Sequence, residues 1–159
     1  MIIILEGPDG SGKSHLAAKF AKQTGYPLIH RVAPETQEDI DMMFLSYWNE
    51  LNRAKNMIFD RAWYSDMVYG PIFRDGSTIT YPQMYKFEER IAKVGGILIH
   101  CTGHPNTLWN RCHVRGEDNP GGTSFEQERD KFDRVCLGYD RLMHVPHHIP
   151  VVRYEYKEV

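Results

Sequence analysis

A chain of 159 residues with 42% hydrophobic and 25% charged side chains has the size and apolar content of one ordinary domain around one core. Its net charge of −2 supplies no global positive field for a polyanion, so a nucleic-acid partner is not expected and a small anionic ligand suits it better. Cys101, Cys112 and Cys136 are odd in number and lack CxxC spacing, which argues against a disulfide framework or zinc site, and MIIILEG reads as neither signal peptide nor membrane span, so a soluble, cytoplasmic protein is expected.

Five short apolar runs predict buried strands at Ile2 to Leu5, Leu28 to Ile29, Met57 to Phe59, Ile97 to Ile99 and Val151 to Val152. Helical spacing of apolar residues fills the intervals at Lys13 to Thr24, Gln37 to Ala54, Tyr81 to Val94, Thr107 to Val114 and Ser124 to Met143. Strand followed by helix, repeated, predicts an α/β fold: a five-stranded parallel sheet flanked by helices in three layers. With no repeat or long linker, residues 1–159 read as one domain. Gly116 to Thr123, GEDNPGGT, is its most irregular stretch and the candidate for a mobile lid spanning roughly 111–123. Ligands of such sheets bind beyond the carboxyl ends of the strands, so the residues following each strand carry most of the functional information.

After the first strand comes Gly7-Pro8-Asp9-Gly10-Ser11-Gly12-Lys13-Ser14, a match to GxxxxGK[ST] running straight into a helix. Gly7, Gly10, Ser11 and Gly12 let backbone N–H groups close on phosphate oxygens, and the helix adds its positive end. Lys13 is placed for the β- and γ-phosphates and the Ser14 hydroxyl for magnesium, which together call for ATP and Mg2+.

Asp60-Arg61 follows the third strand, with Ser65 and Tyr69 beyond it. An Arg there would neutralise charge shared by donor and acceptor, and its neighbouring carboxylate would hold a magnesium-bound water; a simple ion pair fixing the turn explains the dipeptide equally well. Gly70-Pro71 is expected to break the following helix early and present Arg74 to the acceptor. Phe44, Tyr47, Trp48 and Leu51 form a helical stripe, read as core for two of them and pocket wall for at least one. His113 lies between Arg111 and Arg115 in the lid segment as a further phosphate donor, while His144, His147 and His148 read as solvated or turn residues.

In these elements the chain resembles the thymidylate kinase family: Glu6 to Ser14 as its phosphate loop, Asp60-Arg61 with Ser65 and Tyr69 as its signature, Arg111 to Asp118 as its lid, and Phe132, Arg134 and Tyr139 on the helix beyond. The resemblance implies that Asp9 contacts the acceptor's deoxyribose 3′-hydroxyl, that Arg61 bridges the two phosphates, and that Arg115 and Arg111 close over the transferred group. It names a deoxynucleoside monophosphate, dTMP first, as the small-molecule substrate, and a homodimer is an assembly open to it. The family's base-reading segment is shortened here, leaving Phe44, Tyr47 or Trp48 to stack and Arg31 or Arg53 to make a polar contact. A nucleoside kinase is the nearest rival, but it ordinarily places a carboxylate after the second strand, where this chain reads His30-Arg31-Val32-Ala33-Pro34. A kinase of a modified pyrimidine nucleotide is a further alternative. So is an ATPase switch, in which Asn56 to Asp60 would serve as a Walker-B strand.

Overall fold

A computed structural model describes residues 1–53, 55–114 and 125–157. The elements in chain order are β1 (Ile2–Glu6), α1 (Lys13–Thr24), β2 (Leu28–His30), α2 (Gln37–Arg53), β3 (Met57–Asp60), α3 (Trp63–Phe73), α4 (Tyr81–Val94), β4 (Gly96–Thr102), α5 (Pro105–Val114), α6 (Phe125–His144) and β5 (Val151–Glu155). The strands form one parallel sheet in the order β2-β3-β1-β4-β5. The most continuously apolar run, Ile-Ile-Ile-Leu, supplies the central strand, where both faces are covered.

Alternation along β1 divides the core. Ile2 and Ile4 face the larger cluster with Tyr47, Leu51, Trp63, Phe87 and Tyr139, while Ile3 and Leu5 pack with Ala17, Ile58, Ile99 and Cys101 toward α1. No helix among the described residues is long and apolar enough to cross a membrane.

The predicted strands and helices are all present, and α1 and α4 have the predicted bounds; the expectation that all five strands are buried is corrected for β2 and β5, which lie at the sheet edges and are largely exposed. The helix ends expected at Ala54 and Ser124 lie outside the described residues. A further expectation is corrected: Gly70-Pro71 does not break α3, which continues to Phe73. Pro71 sits in the last turn, so its missing N–H removes only one bond near the helix end, and the chain still closes with Arg74 N–H on the Gly70 carbonyl at 2.8 Å. Gly70 is needed for contact with the next loop, since a Cβ there would lie 2.5 Å from the Gly76 carbonyl oxygen.

A buried ionic knot holds α3 and α4 to the loop before β5. Glu88 is fully buried and accepts from the Tyr64 hydroxyl at 2.8 Å, from His147 Nδ1 at 2.7 Å and from the His148 N–H at 2.7 Å. Of the two expectations for His147, solvated or turn residue, the first is corrected: it stands in the loop before β5 with its side chain 3% exposed, and its Nε2 faces the Leu142 carbonyl at 3.0 Å. With an acceptor at each ring nitrogen, the imidazolium satisfies both. Burial disfavours that charge, but the Glu88 hydrogen bond and carboxylate, with the Leu142 carbonyl, outweigh it and raise the pKa. A histidine raised in the folded state contributes fully below its unfolded value of about 6.5 and loses that contribution as pH rises through the folded value. The urea midpoint is expected to fall with pH above about 6.5. His147→Gln, which keeps a donor but no titrating ring, should flatten that slope; an unchanged slope would assign it elsewhere.

Candidate active site

The phosphate loop is shaped by what its glycines touch. Gly7, Gly10 and Gly12 have φ of 151°, 77° and 81°. A Cβ on Gly7 would lie 1.9 Å from the Cys101 carbonyl oxygen, and one on Gly10 would lie 2.5 Å from that of Leu108. The loop thus presses against the end of β4 and the side of α5. Gly12 caps α1 with no side-chain hydrogen bond, and no acidic residue stands in the first turn, so the helix N-terminus is left receptive to an anion.

Three charged side chains meet over this loop. Lys13, only 6% exposed, reaches back to the Pro8 carbonyl and Asp9 Oδ1, each at 3.2 Å. Arg61 donates to the same Asp9 oxygen at 2.5 Å and to Ser65 Oγ at 3.3 Å, with its guanidinium 5.3 Å from the Tyr69 ring centroid. Burial and the Arg61 charge push the Lys13 ammonium down; burial works to raise Asp9, but Lys13 and Arg61 outweigh it and hold its carboxyl low. Arg61 itself has φ of 70°, unlike any other non-glycine residue described, and its N–H is held by the Leu5 carbonyl at 3.1 Å. Such a conformation persists where surrounding contacts over-determine it, and it aims the side chain at the loop.

Beneath Arg61 lies a residue that the sequence reading did not single out as functional. Glu6 is fully buried and accepts from Ala62 N–H (2.6 Å), Ser65 N–H (3.2 Å), Ser65 Oγ (2.7 Å) and the Tyr139 hydroxyl (3.0 Å). It caps α3 from across the sheet and ties that cap to α6. Burial raises its carboxyl despite these bonds. A lone carboxylate ending an apolar strand was the available signal.

Asp60 is buried at the end of β3; His30 Nδ1 meets its Oδ2 at 2.9 Å, while Oδ1 has no hydrogen-bond partner. Ser11 Oγ is likewise buried without one, and Ser14 is exposed on the first turn of α1. Asp60 Oδ1 and the Ser14 hydroxyl are oxygen donors that fit a hard divalent cation beside bound phosphate.

Arg111 donates to the Gly10 carbonyl and stacks 3.6 Å from the Tyr156 ring centroid, making a flat shelf beside the loop. His113 turns Nδ1 to the Trp109 carbonyl at 3.0 Å. Arg115, Glu117 and Asp118, with the rest of the expected lid from 115 to 123, lie outside the described residues.

On the α2 side, Arg31 pairs with Glu50, donates to Ser46 Oγ at 3.2 Å and lies 4.7 Å from the Tyr47 ring centroid. Phe44 instead stacks between α2 and α4, on Phe87 at 5.1 Å and Trp48 at 6.1 Å. Tyr47 is the stripe member beside Arg31. Arg74, expected near the acceptor site, pairs with the buried carboxylate of Asp66, which also accepts from Thr78 and Ile79 N–H at 2.7 and 2.8 Å. That carboxylate folds Arg74 back onto α3.

No family model matches the sequence. The SPbeta prophage-derived uncharacterized protein YorR of Bacillus subtilis is 36% identical over 135 residues, which are 84% of this chain and 81% of that protein. The crystal structure of B. subtilis YorR in complex with phosphorylated GDP superposes with a TM-score of 0.77 at 29% identity, covering 98% of this chain and 85% of that one. A deoxyadenosine kinase from M. mycoides, with products dCMP and dCDP bound, has a TM-score of 0.64 at 17% identity over 97% and 89% of the two chains, a likeness of fold. With a P-loop kinase fold and more than a third of its aligned residues identical to YorR, this chain belongs to the YorR family.

Proposed function

We propose that the chain is an ATP- and magnesium-dependent kinase that transfers the γ-phosphoryl group to a deoxynucleoside monophosphate, with dTMP the first acceptor to test. The observation that carries this reading is the meeting of Lys13 and Arg61 on Asp9 over an uncapped helix N-terminus. Loop N–H groups and Lys13 bind and orient the donor phosphates. Arg61, held by Leu5, Asp9 and Ser65, stands between donor and acceptor, where charge develops. Ser14 and Asp60 would hold magnesium, which would supply neutralising charge to the donor phosphates.

Asp9 offers its half-exposed carboxylate to a sugar hydroxyl, the role implied by the thymidylate kinase resemblance. The Arg111–Tyr156 shelf receives the donor base, and Arg31 with Tyr47 lines the acceptor side. The thymidylate kinase resemblance adds Arg115, outside the described residues, as a further positive charge for the transferred group.

A coupled assay for ADP with each deoxynucleoside monophosphate and each deoxynucleoside tests the acceptor. The phosphorylated GDP bound by YorR adds guanine nucleotides to that panel. Turnover dependent on a monophosphate is expected. Turnover with nucleosides alone would move the acceptor from phosphate to hydroxyl, and stimulation by no member of the panel would sink the reading.

A further inference from the structure

We propose that His30 is a positioning residue for the divalent cation, holding Asp60 so that one carboxylate oxygen is kept for the metal; this rests on the magnesium-nucleotide reading above. The sheet puts the two residues side by side. His30 and Asp60 are register partners at the carboxyl ends of β2 and β3, and the Arg31 N–H closes on the Asp60 carbonyl at 3.1 Å.

Between the side chains, His30 Nδ1 lies 2.9 Å from Asp60 Oδ2. An ionised carboxylate only accepts, so the ring donates. The His30 side chain is 57% exposed and that of Asp60 is 4% exposed. An exposed imidazole can find water, so the bond matters chiefly to the buried carboxylate, whose orientation it fixes.

What that orientation leaves over is informative. Asp60 Oδ1 is buried with no partner, a costly state for an anionic oxygen unless something outside the described chain fills it. Neighbouring cations do not: Arg61 is bonded to Asp9 and Ser65, and Lys13 to Asp9 and Pro8, although Lys13 feels the Asp60 charge. A carboxylate oxygen within the electrostatic reach of the phosphate-loop lysine, fixed from behind and otherwise unbonded, suits the water shell of a cation on the phosphates.

The test uses Mn2+ as probe, its binding in the presence of saturating ATP followed by electron paramagnetic resonance. His30→Ala is expected to weaken Mn2+ binding about tenfold or more, the usual effect of losing an outer-shell partner. ATP binding without metal should stay unchanged. His30→Asn, whose amide N–H can take the place of Nδ1–H, should restore Mn2+ affinity. Wild-type Mn2+ affinity in His30→Ala, or a loss that His30→Asn leaves unrepaired, overturns the inference. A wild-type protein that binds ATP but no Mn2+ would instead overturn the magnesium-nucleotide reading itself, and the inference with it.

Discussion

Arg61→Ala is expected to lower phosphoryl transfer about a thousandfold or more while leaving ATP affinity within roughly threefold of wild type. The asymmetry follows from where the side chain stands. In the proposed kinase, donor phosphates are held by the loop backbone, the α1 N-terminus and Lys13, none of which Arg61 builds. Its guanidinium is fixed by Asp9, Ser65 and Tyr69, which in the proposed reading is where donor and acceptor meet. The variant also isolates the side chain from the backbone, because arginine and alanine pay a similar penalty for the positive φ at this position. Measuring kcat by a coupled assay and ATP affinity by calorimetry separates the two quantities. Unchanged kcat would reduce Arg61 to a strand-end ion pair.

Gly7→Ala tests the frame of the site. A methyl group there would meet the Cys101 carbonyl oxygen at 1.9 Å, and φ of 151° is itself unfavourable for alanine. The obstacle is backbone in the central sheet, so the loop must shift. A loss of about 3 kcal/mol or more is expected in urea denaturation, together with loss of ATP binding. Gly25→Ala is the control. It also has positive φ, but no atom lies within 4 Å of its added Cβ, so a cost of only about 1 kcal/mol and normal ATP binding are expected. Wild-type ATP affinity in Gly7→Ala would show that the close approach does not shape the phosphate site.

The contrast between these residues marks how far the sequence could be read. Apolar runs and their periodicity suffice for strands and helices because a strand buried on both faces cannot carry polar residues; Ile2 to Leu5 are all buried. The turn from Gly7 to Gly12 is equally legible because its shape is local, one glycine-rich turn between a strand and a helix.

What could not be read depends on partners far apart in the chain. Arg74 follows a Gly-Pro pair, and nothing local reveals that Asp66 will claim it. Glu6 and Tyr139 are 133 residues apart, and Glu88 and His147 are 59 apart, yet each pair is in hydrogen-bond contact. Periodicity identified the α2 stripe but not which member turns to Arg31; tertiary packing gave that place to Tyr47 and put Phe44 on Phe87. The proline rule failed at Pro71 because it describes helix interiors, and this proline lies in a last turn.

The proposed function requires that the phosphoryl group be transferred to an acceptor and not merely released. Phosphorus NMR of the protein with ATP, magnesium and each candidate deoxynucleoside monophosphate follows this directly. Resonances of a new nucleoside diphosphate are expected to grow in step with ADP, with little inorganic phosphate and little ADP when the acceptor is omitted. ADP and inorganic phosphate appearing at the same rate with and without every acceptor would contradict it and make the protein an ATPase.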